Sequence, residues 1–396
     1  MKHLIFCILV VLAFSQCKQG SKRELVVIDV TKEYPLKRIY LQDVADIEYI
    51  PLGTNDSTLM RSTFARMHVS DNYIVTVNPS SQGDVFVFDG KGNSKFSFNH
   101  RGQGPEEYNY IGSFAFDEKA KEMFIFSPYS SKPKILVFAE DGKYKRTLTL
   151  FSGFKDIKLY NYDDETLLVY DETGVIGAGV LEQNDYSDKP YLFMSKADGS
   201  IVDTLNTHLP DRLSNAAVWK DNKDENMIHS RAIPITNNRS FGKDFLICDW
   251  SSDTIYKLTP QRELQPLIVR TPSLQGTDPK IIISTFLVTD KFLLLGIHHM
   301  DYVALRNAGG VDAKQIIYDF ETGEINEYRF INRDITTSSS ARMWEATVPG
   351  NTGVTMYDVP FLFDLNDKEE LTGDLKELKN SLDIDDNPVL MKIKFH

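Results

Sequence analysis

The sequence predicts an all-β chain folded as a six-bladed β-propeller with one short C-terminal amphipathic helix, and three observations carry that prediction. From about residue 66 onward short apolar runs alternate with turn signals, and almost no stretch has a helical period. One unit recurs: a strand, a polar turn, a second strand, a loop, a third strand ending in an Asp-Gly type of turn, and a fourth strand. The runs "MFIFS", "ILVFA", "FLLLGI" and "QIIYDF" are apolar at consecutive positions, as in strands covered on both faces. A four-stranded sheet with two apolar faces cannot bury both alone, whereas a closed ring of such sheets buries both and leaves few open edges. A β-sandwich pair or an irregular solenoid is the alternative use of the same strands.

The elements follow in order. Residues 1–17 read as a signal peptide: Lys2 supplies a positive start, and Leu4 to Phe14 is an unbroken apolar run, too short to span a bilayer, where about 20 residues are needed. Cys17 stands where a lipobox cysteine would be lipidated, although Phe14 and Gln16 depart from the usual residues; cleavage after Ser15 or a retained anchor are the alternatives. Residues 18–24 then form a tether, and 25–396 the propeller. "HVSDNYIVTVNPSSQGDVFVFDGKGNSKFSF" is the first unit, with turns at Asp71-Asn72 and Asp89 to Gly92, and the second places Asp117 to Ala120 and Asp141-Gly142 in the same roles. The third begins at "IKLYNYDDETLLVY", the fourth holds "DFLICDW", and the fifth holds "FLLLGIHH" and "QIIYDF". For a weaker sixth, "VTMYDVPFLFDLN" offers inner strands, with "LVVIDV", "IEYIPL" and "NPVLMKIKF" as candidates to complete blades. Leu371, Leu375, Leu378 and Leu382 lie at helical spacing and predict the one helix, ended before Asn387-Pro388.

Composition excludes some partners. Charged residues are 25 %, hydrophobic residues 42 % and aromatics 11 %, so the chain buries a core and is not disordered by charge. A net charge of -12 without a basic block argues against nucleic acid and against docking on anionic lipid, and leaves the N-terminal lipid as the only expected membrane contact. With Cys7 in the leader and Cys17 lipidated, Cys248 is alone in an apolar strand and reads as a small buried hydrophobe.

Two units resemble the NHL-type six-bladed propeller repeat, "LICDWSSDTIYKL" and "MFIFSPYSSKPKILVFAEDGK", with Ser127 in place of an Asp in the second. "RGQGPEEY", Arg101 to Tyr108, resembles the inter-blade Gly-x-Gly-Pro-x-Glu-Tyr segment of six-bladed propeller lipoproteins of Gram-negative anaerobes, and "LDIDDNPVLMKIKF" is similar to that family's ending. The resemblance implies a fold and an envelope location, with the periplasmic side favoured because "KQGSKR" after Cys17 is basic; it implies no reaction.

Candidate ligand contacts are few. Arg101, Glu106, Glu107 and Tyr108 either line the mouth of the channel or pin a corner through local ion pairs, with Gly102 and Gly104 permitting positive φ. No Gly-Lys-Ser/Thr follows them, so a phosphate loop is excluded. His299 and Asp301 share a strand face and would be the start of a metal site; no cofactor is expected otherwise, and a divalent metal is the one the pattern leaves room for. The insertions Gly174 to Pro190 and Leu209 to Ser240, with Trp219, His229, Arg231 and Arg239, are the long loops where lids or binding elements arise. The expected function is binding of a small molecule, glycan, peptide or envelope protein at the axial face. The alternative is a propeller lyase or hydrolase with a metal at the channel mouth. No catalytic motif is present to decide whether the chain is an enzyme.

Overall fold

The computed structural model describes residues 25–396 except 61–65, 79–81, 129–131, 151–153, 174–186, 208, 210, 214–215, 222, 225–226, 233–237, 242–243, 309–312, 338–345 and 349. Cys7, Cys17, the leader and the tether lie outside the described residues.

Six sheets form the blades of a propeller, and a seventh is a two-stranded hairpin. The first blade runs Arg66–Val69, Tyr73–Val77, Val85–Asp89 and Ser94–Phe98. The second is Ser113–Asp117, Glu122–Ser127, Lys134–Ala139 and Tyr144–Leu148. The third is Ile157–Asn161, Thr166–Asp171, Tyr191–Ser195 and Ile201–Thr204. The fourth is Arg239–Phe241, Asp244–Ile247, Thr254–Leu258 and Leu264–Thr271. The fifth is Ile281–Val288, Phe292–His299, Ala313–Asp319 and Ile325–Ile331. The sixth joins the two ends of the chain: Thr352–Tyr357, Val389–Phe395 and, from the N-terminal side, Ala45–Pro51, all antiparallel.

The second strand of each blade explains the consecutive apolar runs. Side chains alternate between the two faces of a strand, and here each face meets a different neighbour. Phe245 and Ile247 pack against the third blade's Leu168, while Leu246 between them packs against Leu293 and Leu295 of the fifth. Leu294 packs against Met391 of the sixth blade, Leu390 against Ile74 of the first, and Val75 against Ile125 of the second. Phe124 and Leu167 join the second and third blades and complete the circuit. Among the described residues six inter-blade cores thus close a ring, and no blade has a core of its own.

Before entering the sixth blade the chain straps two others. Val26–Asp29 pairs in parallel with the fourth blade's outermost strand, and Leu36–Tyr40 with the fifth's. "LVVIDV" therefore adds a fifth strand, and "IEYIPL" is the segment that completes the sixth blade. "VTMYDVPFLFDLN" divides: Thr352–Tyr357 is a strand, but Val359–Asp367 is a helix with Pro360 in its first turn, where a missing N–H costs nothing. The expected C-terminal helix is shorter than its leucine spacing, Gly373–Lys379; Leu375 is buried in it, and Leu371 precedes it in a bridge to Ile335.

Because each blade is an antiparallel meander, its first and third connections emerge on one face of the ring and its second connection and exit on the other. The first face carries tight turns: Gly92, Gly142, Gly199, Arg262 and Gly323 occupy the left-handed position of five equivalent turns. The other face carries the long loops.

Candidate functional site on the long-loop face

The loop Arg101–Tyr108 joins the first blade to the second. Tyr108 is fully buried; its hydroxyl donates to the Gly83 carbonyl at 2.7 Å and accepts from the His100 amide at 3.0 Å, and its ring stands edge-on to Phe138. Burial pushes this phenol well above its usual range. Tyr108 is accordingly a pillar of the inter-blade core and does not reach a channel mouth: its apolar ring finds more burial between blades than at a wet loop tip. The glycines also act differently from expectation. Neither Gly102 nor Gly104 is among the positive-φ residues; a Cβ on Gly102 would instead fall 1.9 Å from Glu107 Oε2, which accepts from the Gly104 amide at 2.8 Å. The loop is pinned by this carboxylate–amide bond and not by ion pairs of Arg101 with Glu106 or Glu107. Arg101, Glu106 and Glu107 are exposed.

Lys134 begins the second blade's third strand, and its ammonium donates to the carbonyls of Gly104 and Pro105 at 3.0 and 2.9 Å. Partial burial lowers its pKa from the ordinary lysine value. Between this anchored loop, Lys132 and the strand end at Thr147 to Leu150 lies an open cleft of about 510 Å³. Gln103, Glu107 and Asn109 give it polar walls, and Pro105, Pro133 and Leu148 apolar ones.

A second construction lies on the same face. The insertion before the fourth blade forms the hairpin Ala216–Lys220 and Ile228–Ala232, against which the helix Tyr302–Ala308 of the fifth blade lies. Asp301 Oδ1 accepts from the amides of Val303 and Ala304 at 2.9 and 3.0 Å and so starts that helix; Arg231 donates to the carbonyls of Leu305 and Arg306 at 3.2 and 2.9 Å and so ends it. The Arg306 guanidinium lies 5.5 Å from the Trp219 ring, which stacks on His229, itself 2.8 Å from Asp221. Trp219, Arg231 and Asp301 are thus brought together, but each of the last two is engaged in holding the helix. His299 closes its strand and Asp301 follows in the turn, so the shared strand face expected of them does not exist; the strand ends where Met300 enters the small core with Ala217, Trp250 and Leu305. Among the described residues no group of three or more His, Cys, Asp or Glu is placed to hold a metal. Cys248 is buried, donates to the Ile283 carbonyl at 3.5 Å, and has its thiol pushed far up by burial, the opposite of a nucleophile's setting.

One cluster on this face has no motif. Asp156 precedes the innermost strand of the third blade, and Glu172 follows the strand beside it, with the Glu172 amide donating to the Asp156 carbonyl at 2.9 Å. Lys158 lies 3.2 Å from Glu172 Oε2 and 4.0 Å from Asp156 Oδ1. Burial raises the pKa of both carboxyls, and Lys158 opposes the rise. Deeper, Arg212 is fully buried, donates to the Asp171 carbonyl at 2.7 Å and lies 5.2 Å from the Tyr170 ring; Tyr170 donates to Asp249 at 2.8 Å. Pairing across two strands makes this cluster, so no local spacing marked it.

Residues 25–394 match the family described as a domain of unknown function, DUF4934. The chain belongs to that family. No curated protein matches the sequence. Among solved structures, an exported protein of Bacteroides fragilis superposes with a TM-score of 0.62 at 14 % identity, covering 94 % of this chain and 100 % of its own, which shows the shared fold. The extracellular domain of a hybrid two-component system of B. thetaiotaomicron gives 0.35 at 11 % identity, covering 78 % of this chain and 30 % of that one. Virginiamycin B lyase from Staphylococcus aureus gives 0.38 at 11 % identity, covering 89 % and 100 %. The DUF4934 chain is thus a six-bladed propeller by its fold, while its NHL-type and lipoprotein likenesses rest on the quoted motifs alone.

Proposed function

We propose that this chain is an exported binding protein of the cell envelope, lipid-anchored at Cys17 on the periplasmic side, which takes its ligand on the long-loop face in the cleft beside Gly102–Asn109. The observation that carries this reading is the cleft itself. Its size falls in the range of about 300–1,000 Å³ common to small-ligand sites, and it has apolar walls with a few converging polar groups. Lys132 and Asn109 offer donors, Glu107 an acceptor, and Pro105 and Pro133 flat apolar surface, a set that suits a hydroxyl- or amide-bearing ligand such as a glycan or peptide. The anchored backbone of the loop favours affinity, because little is left to order on binding.

The test is a screen of glycan and peptide libraries against the protein and a Thr147→Trp variant, whose indole fills the cleft. Saturable binding by the parent that falls at least tenfold in the variant, at an unchanged melting temperature, supports the reading. Ligands that bind both proteins equally would place the site elsewhere. A second reading, lyase or hydrolase chemistry, is favoured by Asp156 and Glu172, two carboxyls of raised pKa flanking Lys158, and no longer by His299 and Asp301. Turnover abolished by Glu172→Gln but retained in Thr147→Trp would favour it.

A further inference from the structure

We infer that the rim of the fourth and fifth blades, covered by the strap from Leu25 to Tyr40, rests on the surface of an anionic phospholipid bilayer, so that the propeller stands on its edge. Three observations converge there. Leu25, Val27, Leu36 and Tyr40 are 49, 57, 53 and 41 % exposed, a density of exposed large apolar side chains on sixteen residues that isolated surface leucines do not explain. Their neighbours Val26, Ile28 and Ile39 point inward and are buried, so strand alternation fixes the exposed set to the outside.

Charge is the second observation. The whole chain carries -12, yet the strap Leu25 to Tyr40 holds three basic residues, Lys32, Lys37 and Arg38, against two acidic ones, Asp29 and Glu33. Lys37 and Arg38 are exposed on the strap, and Arg329 is exposed on the strand it covers. Apolar side chains interleaved with lysine and arginine fit the boundary between headgroups and acyl chains, and each such cation near an anionic surface strengthens adsorption.

The third is where the chain enters. Leu25 begins the described fold on this rim, and seven residues separate it from Cys17, a reach of about 28 Å at most over the eight extended steps. An anchor at or before Cys17 therefore holds this rim nearer the bilayer than any other part of the ring. The inference rests on the envelope half of the proposed function and is independent of the cleft. Its consequence is an axis parallel to the membrane, with the long-loop face open sideways and reachable by a partner in the same membrane.

The test uses the full chain reconstituted into phosphatidylglycerol vesicles whose acyl chains carry bromine, which quenches tryptophan on contact. Val27→Trp places a reporter on the strap, and Val202→Trp, 51 % exposed on the third blade, places one elsewhere on the perimeter. The expected result is at least a twofold loss of the added emission for Val27→Trp, weakened in 0.5 M salt, and none for Val202→Trp. Vesicle-bound protein with equal quenching at both positions, or none at Val27→Trp, would overturn the edge-on placement alone. Protein that does not float with the vesicles would overturn the anchor as well. A Val27→Trp emission shift that grows with protein concentration and needs no vesicles would assign the strip to a second copy and also overturn it.

Discussion

Gly142 has φ 83°, and a Cβ there would fall 2.6 Å from Phe98 Cγ of the preceding blade; Gly323, at φ 72° in the equivalent turn of the fifth blade, has nothing within 4 Å. The two glycines separate backbone strain from crowding. Replacing Gly323 by Ala should cost about 1 kcal/mol, the strain of a left-handed alanine. At Gly142 the same change must also displace an inter-blade ring, and should cost about 3 kcal/mol; urea midpoints of the two variants check this. Arg262 shows the compensation required without glycine: at φ 63° it stacks 4.2 Å from Phe193 and donates to Asp203 at 3.3 Å. Among charged groups, Glu122 receives both arms of Arg146 at 2.9 and 2.7 Å, and these, with Lys145, hold its carboxyl down at about 2 from 4.5. A depressed folded pKa gives stability that is complete above the unfolded value and is lost as pH falls through the folded one. Glu122→Gln should therefore be about 3 kcal/mol less stable than the parent at pH 7, and the gap should close between pH 4.5 and 2 in urea titrations.

The strap is an element whose two sides do different work. Ile28 is buried between the fourth and fifth blades while Val27 beside it faces outward. Ile28→Ala should cost about 3 kcal/mol and Val27→Ala less than about 0.5, measured in solution without lipid; similar losses at both would mean the strand is paired in another register. This element was only half legible in the sequence. "LVVIDV" reads as a strand because four of its five apolar residues are β-branched, but nothing local specifies a parallel pairing with Leu264–Thr271, more than two hundred residues away. The blades were legible because their information is local: Asp141-Gly142 marks a turn, and the flanking runs mark strands buried on two sides. Pro360 misled in one place, since it suits the first turn of a helix as well as the end of a strand. At the site, the Gly-Pro loop was visible by composition, whereas Asp156 and Glu172 meet only through strand pairing, and Tyr108 gives no sequence sign of facing inward.

At the scale of the molecule, the sixth blade draws Ala45–Pro51 from one end of the chain and Thr352–Tyr357 with Val389–Phe395 from the other. Each inter-blade core is shared by two sheets, so opening one blade exposes the faces of both neighbours. The ring should unfold as one unit, and a chain ending at Asn387 should lose the fold of all six blades together, seen as loss of the cooperative melt. The most direct measurement of closure is native-state amide hydrogen exchange. If the two chain ends lock the ring, the amides of Val389–Phe395 and Ile47 to Ile50 exchange with the same opening free energy as Met123 to Phe126 in the second blade. Exchange of the sixth blade at low denaturant, while the second stays protected, would contradict a closed ring.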